Sequence, residues 1–209
     1  MSQQSLFDSE PESDRRRIDL PDAELDFYPS AFSTAEADQH FELLRRDTPW
    51  RHDQILIHGK RIPLPRLQAW YADADVPLIY SGMRIAPLAI TTPLDAIRKR
   101  VLDLTGLSFN GVLVTLYRDG NDSVGWHSDD EAEFGPDPVI GSVSFGHARD
   151  FILKHRYRAD LAPVKCPLTH GSVLLMGPGS QTRWAHQLPK RKRITEARIN
   201  LTLRNVFAR

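Results

Sequence analysis

The sequence predicts a mainly β domain with flanking helices, in the α+β class, arranged as a β-sandwich or jelly roll. Three observations lead there. Two capped helical segments fall in the first half of the chain. Six short segments of alternating apolar and polar residues accompany and follow them, separated by tight-turn residues. Finally, 209 residues with 41% hydrophobic content supply one proper core but not two.

Taken in order, residues 1–17 are almost without apolar content and are expected to be a disordered tail, with a single domain over 18–209. Ser33-Thr-Ala-Glu36 forms a capping box, and Ala37, Phe41 and Leu44 follow at helical spacing. Gln54 to His58 alternates and Gly59 turns. Thr92-Pro93 sets a capping side chain before a proline at the first helical position; Leu94, Ile97, Val101 and Leu104 make the apolar face, and Gly106 stops the helix. Asn110 to Tyr117 is the next strand, closed by Asp119-Gly-Asn-Asp122. Val139 to Phe145, Phe151 to Arg158, Ser172 to Met176 and Ile199 to Val206 complete the series.

Composition excludes several classes. Lys and Arg number 27, as do Asp and Glu, so the whole molecule carries no basic nucleic-acid coat. The balance hides a gradient: residues 1–26 hold eight acidic residues against three arginines, and residues 183–209 hold eight basic residues against Glu196. A lone cysteine, Cys166, rules out a disulfide framework and multi-cysteine metal sites. No apolar run is long enough to span a membrane, and the N-terminus lacks the apolar stretch of a secretory signal. A reducing intracellular compartment is expected, the cytoplasm if the source is bacterial.

His127-Ser128-Asp129 is the first chemical candidate. On a strand, positions i and i+2 share a face, so imidazole and carboxylate can meet one ion. Chance alone supplies about one His-x-Asp triplet in such a chain, and a polar strand end is the bland alternative. His186 offers a third ligand, or is simply a surface histidine beside Trp184. Two imidazoles and one carboxylate with open positions suit non-haem Fe(II) that must also take oxygen and a cosubstrate. Arg198-Ile-Asn-Leu-Thr-Leu-Arg204 places Arg198, Asn200, Thr202 and Arg204 on one strand face, opposite Ile199, Leu201 and Leu203. Two guanidinium groups on an inner face need anions, and a dicarboxylate would supply one to each.

Together these residues resemble the AlkB family of Fe(II)- and 2-oxoglutarate-dependent dioxygenases, which repair alkylated nucleic-acid bases. The resemblance covers roughly residues 50–207. It is carried by Pro65-Arg-Leu-Gln-Ala-Trp-Tyr71, by Leu116 to Glu131, by Ile140-Gly-Ser-Val-Ser-Phe-Gly146 with Arg149-Asp-Phe151, and by Arg198 to Arg204. The likeness is greatest to the branch containing the two human nuclear DNA-repair homologues. It implies a double-stranded β-helix, with His127, Asp129 and His186 as iron ligands. It implies that Arg198 meets the distal carboxylate of 2-oxoglutarate, that Arg204 meets the carboxylate nearer the iron, and that Tyr117 and Asn200 add cosubstrate contacts. Thr115 stands where the family usually has Asn, so a hydroxyl replaces an amide there.

On the substrate side, the resemblance implies that Tyr71 stacks on an extruded base, with Trp70 and Arg66 as further candidates. Asp130 and Glu131 would read the exocyclic amine or offset the charge of the alkylated ring. Lys154, Arg156 and Arg158 alternate along one expected strand face and, with Lys190 and Arg191 in the basic run to Arg193, could grip phosphates; a solvated face is the plain alternative. The expected activity is oxidative dealkylation of bases such as 1-methyladenine and 3-methylcytosine in DNA by a monomeric enzyme using Fe(II), 2-oxoglutarate and O2. RNA or a protein side chain as substrate, and a jelly roll that binds metal or nucleic acid without turnover, are the rivals. Finally, Gln3-Gln-Ser-Leu6-Phe7 resembles the short peptide by which bacterial repair proteins dock on the sliding clamp.

Overall fold

The computed structural model describes residues 14–57, 59–73, 77–80 and 83–207. The chain opens with a hairpin, β1 (Arg16–Leu20) and β2 (Ala23–Tyr28), followed by α1 (Thr34–Asp47). Two short strands, β3 (Gln54–Ile57) and β4 (Lys60–Pro63), precede β5 (Leu67–Ala72). Another short pair, β6 (Leu78–Tyr80) and β7 (Met83–Ile85), leads to α2 (Thr92–Thr105). Then come β8 (Gly111–Tyr117), β9 (Val124–His127), a 3-10 turn (Ala132–Phe134), β10 (Ile140–Gly146) and β11 (Arg149–His155). The chain ends with β12 (Val164–Leu168), β13 (Ser172–Met176), β14 (Trp184–Leu188) and β15 (Arg198–Arg204).

The strands form a seven-stranded sheet in the order β1-β2-β13-β10-β15-β8-β5, facing a four-stranded sheet in the order β12-β11-β14-β9. Every pairing in both sheets is antiparallel. This is the expected jelly roll buttressed by two helices. The larger sheet sorts its side chains by strand period. Ile199, Leu201 and Leu203 of β15, Val112 and Val114 of β8, and Val143 and Phe145 of β10 bury against Leu94, Ile97 and Val101 of α2 and Ala37 and Leu44 of α1. The opposite face meets the smaller sheet. There, Leu25, Phe27, Ile140, Leu174 and Met176 pack on Phe151, Leu153, Cys166, Leu168 and Trp184 and fill one part of the gap. Polar residues of β8 and β15 line the rest, and that is where the site lies.

The capping box of α1 is present in both directions: the Glu36 amide donates to Ser33 Oγ and the Ser33 amide to the Glu36 carboxylate. For α2 the cap is Thr91 and not Thr92, and Gly106 closes the helix at φ 72°, where only glycine sits without strain. Two further expectations need correction, and one hairpin is an addition to them. Ordered structure begins before residue 18, because Arg16 and Arg17 already pair with Phe27 and Asp26. The alternating segments read from sequence omit the hairpin of β1 and β2, whose Ile18, Leu20, Leu25 and Phe27 pack in the gap between the sheets. Strand β11 ends at His155, so Arg156 and Arg158 lie beyond it and do not share a strand face with Lys154. The Gln3, Leu6 and Phe7 peptide lies outside the described residues.

Candidate metal and cosubstrate site

His127 ends β9 and His186 sits within β14, and the two are direct cross-strand partners with ring centroids 4.3 Å apart. Asp129 follows two residues later. One ligand atom from each of the three lies within 4.8 Å of the others. His127 Nδ1 is 2.8 Å from the Gly125 carbonyl, which can only accept, so Nδ1 carries a proton and Nε2 is the nitrogen left to face a metal. Burial pushes the His186 imidazole down to about 3, aided by His127, so it is neutral at neutral pH. Burial opposes ionisation of Asp129, but the Arg204 guanidinium foremost outweighs it and holds the carboxyl below its usual range. Two imidazoles and one carboxylate, without a thiolate, are the donor set of a mononuclear non-haem Fe(II) centre. The residues fit the ion.

The inner face of β15 lies beside this triad. Arg198 is 2% exposed, and among the described residues it has no carboxylate partner. Its Nη2 donates to Asn200 Oδ1 at 2.7 Å and Ser144 Oγ at 2.9 Å, while Nε is buried without a partner. The guanidinium carbon stands 5.4 Å from the centre of the Tyr117 ring, its cross-strand neighbour. Burial pushes this guanidinium down to about 10. A buried, charged, incompletely satisfied group of this kind calls for an anionic ligand. Arg204, at the other end of the strand, already has an anionic partner: its Nη2 donates to Asp129 Oδ1 at 2.6 Å and its guanidinium lies over the Phe134 ring at 4.8 Å, while its Nε is buried without a partner. The cavity joining the two arginines is lined by Thr115, Tyr117, Ser142, Asn200 and the triad. It can hold a metal at one end and a carboxylate at the other.

The sequence profile of the 2OG-Fe(II) oxygenase superfamily matches residues 24–204. The mouse DNA oxidative demethylase ALKBH2 is 40% identical over 189 residues, covering 86% of this chain and 79% of the mouse protein. The human protein of the same name is 38% identical, over 86% of this chain and 72% of its own length. The chain belongs to the AlkB family of 2OG-Fe(II) oxygenases. The alpha-ketoglutarate-dependent dioxygenase alkB homolog 3 of rat is 38% identical, covering 86% of this chain and 63% of the rat protein. Among solved structures, OsALKBH1 superimposes with a TM-score of 0.64 at 17% identity, covering 91% of this chain and 100% of that one. A 2OG-Fe(II) oxygenase family oxidoreductase from Burkholderia pseudomallei gives 0.56 at 12% identity, covering 87% and 84%. At those identities the structural likeness speaks to the fold. Membership makes this AlkB-family chain an enzyme and implies Fe(II) and 2-oxoglutarate.

The substrate-side expectations fare unevenly. Tyr71 pairs with Val112 on the helix-facing side of the sheet and is buried in the main core. It therefore faces away from the triad, because neighbours on a strand point to opposite faces. Trp70, paired with Leu113, holds the inner face, packed with Leu113, Phe134 and Val206 and resting over Gly111, where any Cβ would clash with its ring. Arg66 lines the cavity and donates to the Ser123 carbonyl, just ahead of Leu67, which pairs with Leu116. It thus sits toward the Tyr117 end, away from Trp70. Asp130 turns to Arg156, at 2.7 Å. Glu131 keeps a buried Oε2 without a partner, and burial raises its carboxyl pKa. Of the basic residues, Arg156, Arg158 and Arg191 are engaged by Asp130, Asp160 and Asp150. Lys154 rests over Trp126 at 4.5 Å, and Lys190 is exposed.

Four contributors carry no clear mark in the sequence pattern. Ser142 and Ser144 hold the Asn200 carbonyl and Arg198, and the alternation of β10 is the one signal that could reveal them as inner-face positions. Phe134 and Gln181 come from a 3-10 turn and a loop, where no periodicity marks them. Among the described residues, no helix is long and apolar enough to cross a membrane.

Proposed function

We propose that this chain removes alkyl groups from the nitrogens of DNA bases by oxidation, consuming 2-oxoglutarate and O2, with 1-methyladenine and 3-methylcytosine as the model lesions. The observation that carries the cosubstrate assignment is Arg198, buried and charged with no carboxylate partner among the described residues. The DNA assignment is supported by relatives named DNA oxidative demethylases. When bound, iron supplies the oxidising chemistry that turns the N-methyl carbon into formaldehyde while 2-oxoglutarate leaves as succinate and CO2.

The chain's own residues bind, orient and shield. Arg198 would take the distal carboxylate of 2-oxoglutarate in a charge-assisted pair, with Tyr117 beside it. Thr115 and Asn200 are cross-strand partners on the same inner face and offer further polar contacts. Arg204 holds Asp129 ionised and oriented toward the metal position, and it can extend a further N–H to the nearer carboxylate. His127 presents Nε2 because Gly125 fixes its tautomer. Phe151 lies against His186, with centroids 4.9 Å apart, and excludes water from that side.

Trp70, on the inner face of β5, and Glu131, whose Oε2 is buried without a partner, would be the aromatic and acidic groups that meet an extruded base. The protein acts inside the cell as a monomer, and the Gln3–Phe7 peptide docks on a sliding clamp, which titration of a peptide of residues 1–12 against a bacterial clamp tests. The main reading is tested by incubating iron-loaded protein with 2-oxoglutarate and DNA, RNA and peptide substrates carrying methyl groups. Loss of the base methyl from DNA supports it. Turnover of methylated peptide alone, or of no substrate, overturns it.

A further inference from the structure

We propose that Gln181, with Arg156 and Asp130, forms a latch that positions Asp129 for metal binding; the inference rests on the iron-site reading above. Strand β9 stops at His127, so Asp129 has no ladder partner to fix its backbone. Its buried N–H donates instead to Gln181 Oε1, at 2.9 Å. Gln181 is fully buried in the turn between β13 and β14. Its amide nitrogen is held by Ser180 Oγ at 3.2 Å and Met176 Sδ at 3.5 Å, which keeps the oxygen turned toward Asp129.

A second tie runs through the same residue. Arg156 Nη1 donates to the Gln181 carbonyl at 3.0 Å and to Asp130 Oδ2 at 2.7 Å. Residues 129 and 130 are thereby fastened, by backbone and by side chain, to the loop that leads into β14 and His186. Arg204 then fixes the carboxylate of Asp129 from the other side. Gln181 and Arg156 are positioning residues in this arrangement. Asp130 and Arg156 serve the metal site through each other, in place of the base-reading and phosphate-gripping roles the sequence suggested for them. Removing partners of this kind, one shell away from the ion, typically changes metal affinity by 10- to 100-fold.

The test is Mn(II) binding to the metal-free full chain, read from the electron paramagnetic resonance signal of free Mn(II), with thermal unfolding measured on the same samples. Gln181→Met keeps bulk but removes the acceptor, and should weaken Mn(II) about tenfold or more. Arg156→Met removes the exposed tie and should weaken it measurably but by a smaller factor than Gln181→Met. A Gln181→Met protein with lower Tm but wild-type Mn(II) affinity would show a purely structural residue and overturn the latch. Should Gln181→Met fail to fold, Arg156→Met decides: weakened Mn(II) binding supports the latch, and unchanged binding overturns it. His186→Ala is the control that separates the two levels. If wild type binds Mn(II) no better than His186→Ala, the metal-site reading itself is overturned, and the latch with it.

Discussion

Replacing Arg198 with Met should produce an enzyme that is more stable without cosubstrate and nearly unable to use it. The guanidinium is 2% exposed, with no carboxylate partner among the described residues, and burial pushes it from 12.5 to about 10. That depression corresponds to roughly 3 kcal/mol against the charged form. The group is depressed in the folded state, so the penalty is present at every pH below about 10 and fades only as pH rises toward the unfolded value. Met removes the charge and keeps most of the apolar stem, but it also removes hydrogen bonds to Ser144 and Asn200 worth about 1 kcal/mol each. The expected net change is a gain of about 1 kcal/mol in urea unfolding of the metal-free protein, constant between about pH 6 and pH 8. Cosubstrate use should move the other way. Removing a charge-assisted hydrogen bond from a buried site costs about 2–4 kcal/mol, or roughly thirty- to several-hundred-fold in KM for 2-oxoglutarate. An unchanged KM, or a variant markedly less stable than wild type, would refute the reasoning.

Arg204→Ala should do the opposite to stability, because it strands the buried Asp129 carboxylate; a decrease of about 3–5 kcal/mol in the metal-free protein is expected by urea unfolding. Tyr71→Phe removes only the hydroxyl that bonds Thr48 in the core, so stability should fall by about 0.5–1.5 kcal/mol while KM for a methylated oligonucleotide stays unchanged. Burial pushes the Cys166 thiol up to about 12, leaving about one thiolate in ten thousand at pH 8, so iodoacetamide should label it only when urea opens the fold.

The larger sheet was legible wherever one strand face is core and the other polar. Arg198 to Arg204 shows this best, because Ile199, Leu201 and Leu203 mark the helix-packed face and leave the arginines nowhere but inward. For Trp70 and Tyr71, adjacent on β5, the sequence alone could not choose which faces inward. Both are large aromatics, and only the register with Val112 and Leu113 decides which is inward. The resemblance pointed to Tyr71, and the pairing gives the inner face to Trp70. His127 and His186 were separable in sequence but not joined by it; they meet through cross-strand pairing between β9 and β14, made by long-range topology. In the basic clusters, Arg156 and Arg191 find carboxylates on other segments of the fold, and Arg158 finds Asp160 two residues along the chain. The hairpin of β1 and β2 went unread although Arg17-Ile-Asp-Leu20 and Ala23-Glu-Leu-Asp-Phe27 both alternate, because the acidic, arginine-rich composition around them reads as a tail.

The most direct measurement is the stoichiometry of turnover. Iron-loaded protein, 2-oxoglutarate and a 1-methyladenine oligonucleotide should yield succinate, formaldehyde and unmodified adenine in a ratio of about one to one to one, with His186→Ala yielding none of the three. Succinate released at the same rate with unmethylated DNA and without formaldehyde, or a His186→Ala protein that still repairs the base, would contradict the assignment of His127, Asp129 and His186 as the centre of an oxidative DNA dealkylase.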